Sequence, residues 1–147
     1  MSDQTNKEKM RRVLEEFFVR TVSDPAKTAA AVDKYWSPDL VYHSIQMGDV
    51  GFEQGKQFQI ALETAMKPKI TLKNIIMEGD MAAVQFTLDG THQSTFMGIP
   101  ATGKKVKIEV VEIVKYKGEK FTEIWMYYDN LSSMKQIGAV PSPAATR

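Results

Sequence analysis

Cysteine is absent from the 147 residues of the chain. Its absence excludes disulfides, thiolate nucleophiles and zinc sites built on sulfur. Histidine is scarce: His43 and His92 are the only two, and no His-x-x-x-His spacing exists, so neither a metal nor any other cofactor is assigned. Nor does one sign of charge dominate, since 19 Lys and Arg stand against 18 Asp and Glu. The resulting net charge of +1 supplies no long-range field to draw nucleic acid or an acidic membrane. No apolar run approaches the roughly 20 residues that a bilayer span needs. The opening MSDQTNKEKMRR is polar and lacks the apolar centre of a signal peptide. The expectation is a cytoplasmic protein with neither nucleic acid nor membrane as partner.

What is present suits one globular domain: 43% of residues are hydrophobic and 25% charged, enough for a real core. A single domain is expected over residues 1–138, with residues 139–147 as a disordered tail. Residues 98–105, GIPATGKK, come close to a nucleotide-binding loop, but Lys105 stands where a hydroxyl residue is required. The following KKVKIEVVEIV alternates with period two, as a strand does, whereas a phosphate loop must open a helix. The match is therefore read as accidental.

Met10, Val13, Leu14, Phe17 and Phe18 follow helical spacing and predict a helix over residues 5–22. Asp24 and Pro25 are suited to cap and start a second helix that runs to about Tyr35. SPD at 37–39 reads as a breaker, LVYHSI at 40–45 as a short strand and GDVG at 48–51 as a turn. Phe52 to Met66 predicts a third helix, stopped by Lys67-Pro68. Four strands follow, Ile70–Met77, Ala82–Ser94, Lys105–Tyr116 and Phe121–Asp129, rich in β-branched and aromatic residues. Helices first and a strand meander afterwards predict an α+β fold with helices on one face of a curved sheet.

Strand alternation then sorts the faces. One face collects Ala82, Val84, Phe86 and Leu88, then Val106, Ile108, Val110 and Val114, then Ile124 and Met126, with three polar groups among them: His92, Glu112 and Tyr128. A bulge at Gly90 or at Val110-Val111 would invert part of this pattern. The opposite face carries Val111, Ile113, Trp125 and Tyr127, too apolar for open solvent and suited to contact a second copy. A carboxylate among valines has its charged form penalised, which suits Glu112 to proton transfer; the plain alternative is a structural ion pair or an edge position. Each histidine taken alone reads as a hydrogen-bonded structural residue.

The stretch from Gly90 to Gly138 resembles the C-terminal half of the SnoaL-like polyketide cyclases: G-T-H, then M-G-I-P-A-T-G, a strand, a glycine turn, a strand ending in Asp, and Q-I-G. More loosely, YWSPDLVYHS at 35–44 resembles that family's entry into its first strand. The resemblance implies a cone-shaped α+β barrel of the nuclear transport factor 2-like superfamily, with N-terminal helices packed on a curved, mainly antiparallel sheet. It also implies a homodimer, with Phe96 to Pro100 as a loop at the rim of an apolar pocket for a small hydrophobic molecule. The family's chemistry is a cofactor-free intramolecular aldol ring closure by an acid/base carboxylate.

Carried over by residue, His92 matches the histidine of G-x-H, while Glu112 and His43 fall at polar pocket positions. Met126 stands where the cyclases place their acid/base aspartate, and Asp129 matches a second acidic position. The catalytic candidates are then Glu112 and Asp129, with His43, His92, Trp36, Phe96, Met126 and Tyr128 as substrate-binding candidates. Two functions stay open: acid/base catalysis on a small hydrophobic carbonyl compound, and a module that only binds a lipophilic ligand or partner.

Overall fold

The structure, a computed structural model, describes residues 3–19 and 24–140. Helix α1 (Asp3–Val19) lays its apolar stripe inward, so that Met10, Val13, Leu14, Phe17 and Phe18 are buried. The expected extension of this helix to residue 22 and most of the expected tail lie outside the described residues. Asp24 accepts a hydrogen bond from the Ala26 amide at 2.9 Å, and Pro25 opens α2 (Pro25–Tyr35), as a cap followed by proline should. Helix α3 (Phe52–Met66) ends where Lys67 turns left-handed just before Pro68. No helix among the described residues is long and apolar enough to cross a membrane.

The strands are β1 (Trp36–Ser44), β2 (Gly48–Val50), β3 (Lys69–Glu78), β4 (Met81–Thr91), β5 (Lys105–Lys117) and β6 (Lys120–Tyr128). They form one open sheet in the order β2-β1-β6-β5-β4-β3. Every neighbouring pair is antiparallel except β1 with β6, which is parallel. The helices pack on its inner face, giving an α+β fold.

Three expectations change and one open alternative closes. SPD at 37–39 does not break the chain, because the register of β1 against β6 jumps between Trp36 and Val41 and this irregularity accommodates Pro38. GDVG is no mere turn, since Gly48–Val50 pairs with Tyr42–Ser44. The β4–β5 register runs unbroken from Met81↔Lys115 to Thr91↔Lys105, so no bulge inverts the inner face. Finally, a short helix α4 (Asn130–Gln136) follows β6, started by the Asp129 carboxylate, which accepts from the Ser132 amide at 2.9 Å.

Gly90 has its own reason. A Cβ there would lie 2.6 Å from the Met66 carbonyl oxygen, so only glycine lets the end of α3 sit this close to the sheet. The Gln93 amide donates to the Ala65 carbonyl at 2.8 Å, which ties the chain leaving β4 to that same helix end.

Candidate functional site

Beneath α4 the inner face of the sheet opens into a narrow pocket. Its walls are largely apolar: Leu62 and Met66 from α3, Leu88 from β4, Val106, Ile108 and Val110 from β5, Met126 from β6, and Met134 and Ile137 at the roof. Phe96 completes the wall from a tight hairpin. Its amide and carbonyl both bond to Ile99, at 3.0 and 2.9 Å, and Met97 and Gly98 take positive φ of 52° and 78° between them. Two consecutive left-handed residues are what such a two-residue turn demands. The polar groups on the pocket are few: Gln46, Tyr128, Asn130 and Ser133. Burial pushes the Tyr128 hydroxyl up to about 12, so it remains a donor at neutral pH.

A second, narrow cavity adjoins the first and shares Leu62, Leu88 and Met126 with it. It contains two carboxylate side chains, Glu63 from α3 and Glu112 from β5, alongside Gln59 and the rings of Phe17, Phe18 and Phe86. Both are buried, Glu63 at 2% and Glu112 at 5% exposure. Glu63 accepts from the Thr28 hydroxyl of α2 and from the Gln59 amide, the latter at 2.8 Å. Tyr42 of β1 is fully buried, and its hydroxyl donates to the Met126 sulfur at 3.0 Å. Burial holds the Tyr42 hydroxyl well above its usual range, and the charge of Glu112, to which it is also hydrogen-bonded, adds to the effect. A carboxylate beside a permanently neutral phenol can accept and return a proton at a fixed place.

Of the residues singled out in the sequence, Glu112, Met126, Tyr128 and Phe96 are brought together around these two spaces. The others are not. His43 is on the outer face, because Tyr42 takes the inward position and strand neighbours alternate. There its Nδ1 is 2.6 Å from Asp49 and its Nε2 2.6 Å from Glu123, and its ring stacks on Trp125 at 4.9 Å. The Glu123 bond is the main reason its pKa is raised, Asp49 adds to it, and partial burial opposes it.

Asp129 is exposed and committed to capping α4, outside the pocket. Trp36 is buried between Tyr42 and Phe52 and borders a surface cleft with Lys120 and Asp33 instead. His92 is fully buried, its Nδ1 3.1 Å from the Thr102 hydroxyl, and it lines neither space. Glu63 and Tyr42 escape the sequence reading. Among the described residues no group of three or more His, Cys, Asp or Glu is placed to hold a metal ion.

The profile of a family described as SnoaL-like polyketide cyclase matches residues 8–137. No curated protein matches the chain. Among solved structures, a candidate SnoaL-like polyketide cyclase from Jannaschia sp. CCS1 is 25% identical with a TM-score of 0.73, covering 96% of this chain and 98% of its own. AclR of Streptomyces galilaeus, described as a candidate hydroxylase, is 23% identical with a TM-score of 0.75, covering 95% and 100%. TsrD of Streptomyces laurentii is 20% identical with a TM-score of 0.74, covering 95% and 100%.

Proposed function

This chain belongs to the SnoaL-like polyketide cyclase family, and from that premise we propose that it takes a small, largely apolar carbonyl compound beneath α4 and moves a proton on it without a cofactor. Glu112 is the acid/base group in this reading. The observation that carries it is Met126, whose side chain lines both the apolar pocket and the cavity holding Glu112. Methionine is unbranched and turns readily, so a rotation of one side chain joins the two spaces. The substrate carbonyl accepts from the Tyr128 hydroxyl, which stabilises the enolate oxygen as the carbon-bound proton passes to the Glu112 carboxylate. The same carboxyl returns the proton to carbon. Groups in this role contribute about 10²- to 10⁴-fold in rate.

The test needs no natural substrate. In D2O, 2-tetralone exchanges its acidic hydrogens for deuterium, and proton NMR follows the loss of signal. The expected result is exchange faster than in buffer alone, with at least about a hundredfold loss in Glu112→Gln. Exchange at the buffer rate with tetralone demonstrably bound would sink the catalytic reading.

A second reading, a module that binds and does not turn over, is favoured by one specific observation. Among the described residues no carboxylate lines the apolar pocket itself, and Met126 occupies the position that resemblance gives to the cyclases' aspartate. Bound tetralone with no exchange is the outcome this reading expects.

A further inference from the structure

Gln46 lies in the turn between β1 and β2, where the Ser44 hydroxyl accepts from the Gln46 and Met47 amides, each at 3.1 Å. Its side chain is held at the other end too: Nε2 donates to the Asn130 Oδ1 at 3.0 Å, and Asn130 is the first residue of the capped helix α4. Both amides line the apolar pocket. That one bond leaves Gln46 Oε1 as a fully buried acceptor with no partner among the described residues. Buried acceptors are almost always satisfied, and an orphan that is fixed from both sides in a pocket wall marks a place where a donor belongs. A water held among Gln46, Tyr128, Asn130 and Ser133 is the competing tenant, and a ligand hydroxyl has to displace it.

We propose that Gln46 is the specificity-determining residue of the pocket, selecting a ligand that carries a hydroxyl donor, a phenol or an enol, whose hydrogen bonds to Gln46 Oε1. The inference rests on the pocket reading above and adds to it which polar group the ligand presents, and where. An apolar ring occupies the space between Leu88, Val106 and Met126, and its hydroxyl points to the β1–β2 turn. A ligand of the same shape without the donor leaves the acceptor orphaned and is rejected accordingly.

The experiment titrates the full chain with 2-naphthol, its near-isostere 2-fluoronaphthalene, and 2-tetralone, following the methyl signals of Met66, Met126 and Met134 by NMR. The wild type is expected to bind 2-naphthol at least about tenfold more tightly than 2-fluoronaphthalene. In Gln46→Met the two should become equal while 2-fluoronaphthalene keeps its wild-type affinity, which shows the pocket intact. The proposal is overturned if 2-naphthol has no advantage on the wild type or keeps it in Gln46→Met. It is also overturned if Gln46→Met weakens 2-tetralone rather than 2-naphthol, since the amide would then be presenting its N–H. If none of the three binds, the pocket reading falls and this inference with it. Binding without hydroxyl preference removes this inference alone.

Discussion

The Tyr42 hydroxyl donates to the Met126 sulfur across 3.0 Å, from β1 to β6. The side chain between the apolar pocket and Glu112 gives up this one contact when it turns, and the charge of Glu112 acts on the same phenol. Tyr42→Phe removes both links. The variant should keep its fold but lose about 1–3 kcal/mol of stability, because the buried hydroxyl's interactions with the Met126 sulfur and with Glu112 are both removed. Deuterium exchange into 2-tetralone should fall while tetralone affinity holds. Chemical denaturation and the exchange assay check the two halves, and an unchanged exchange rate would remove Tyr42 from the chemistry.

Met126 also predicts what the protein will not do. On anthracycline-type polyketide esters the wild type should bind without closing a ring. Met126→Asp should gain weak turnover, detected by absorbance. It should also lose stability by about 1–3 kcal/mol, since a carboxyl replaces a buried thioether, and for a chain of this size each kcal/mol lowers Tm by about 2–4 °C. Efficient closure by the wild type would show that another carboxylate, Glu112 or Asp129, does the work of the missing aspartate.

His43 predicts a pH dependence of known sign. Its folded pKa is raised above the unfolded value by Glu123 and Asp49, so the charged ring stabilises the fold. That contribution is complete below the unfolded pKa of about 6.5 and fades as pH climbs through the folded value. The Tm gap between wild type and His43→Gln should be widest near pH 5.5 and shrink by pH 9. A gap that is flat, or that widens with pH, would show that the bridging charge does not act this way.

The outer sheet face predicts assembly. Tyr127 is 51% exposed and Val41 39%, beside the part-buried Val111, Ile113 and Trp125. Such a patch is expected to pair with its own copy. Sedimentation at micromolar concentration should give a dimer, and Tyr127→Glu should shift it toward monomer. A wild-type particle of 16.6 kDa would end the idea.

The strands were legible because β4, β5 and β6 alternate cleanly, and that alone placed Glu112, Met126 and Tyr128 on the inner wall. LVYHSI alternates poorly, with Leu40 and Val41 both apolar, so the pattern does not fix the face of His43 and carries no signal for Tyr42. Glu63 follows Leu62 on α3 and looks like a solvated helix residue. What satisfies it inside is the hydroxyl of Thr28 of α2, 35 positions away, a contact that no local pattern records. Helix α4 spans seven residues, too short for a periodic signal. Asp129 before Asn130-Leu-Ser-Ser did carry a cap signal, which recasts that carboxylate as structural.

The parallel pairing of β1 with β6 also sets an order of events in time. A chain made from its N-terminus holds β1 ready long before its central partner exists, with only the three-residue β2 available to it. Tyr42 and Met126 are 84 positions apart, and contacts of that span slow folding because the loop must close before they form. On a ribosome the pocket wall is therefore among the last features to appear. A nascent chain halted before residue 120 has β3, β4 and β5 and most of its helices, yet without β6 and α4 it has no closed place for a ligand.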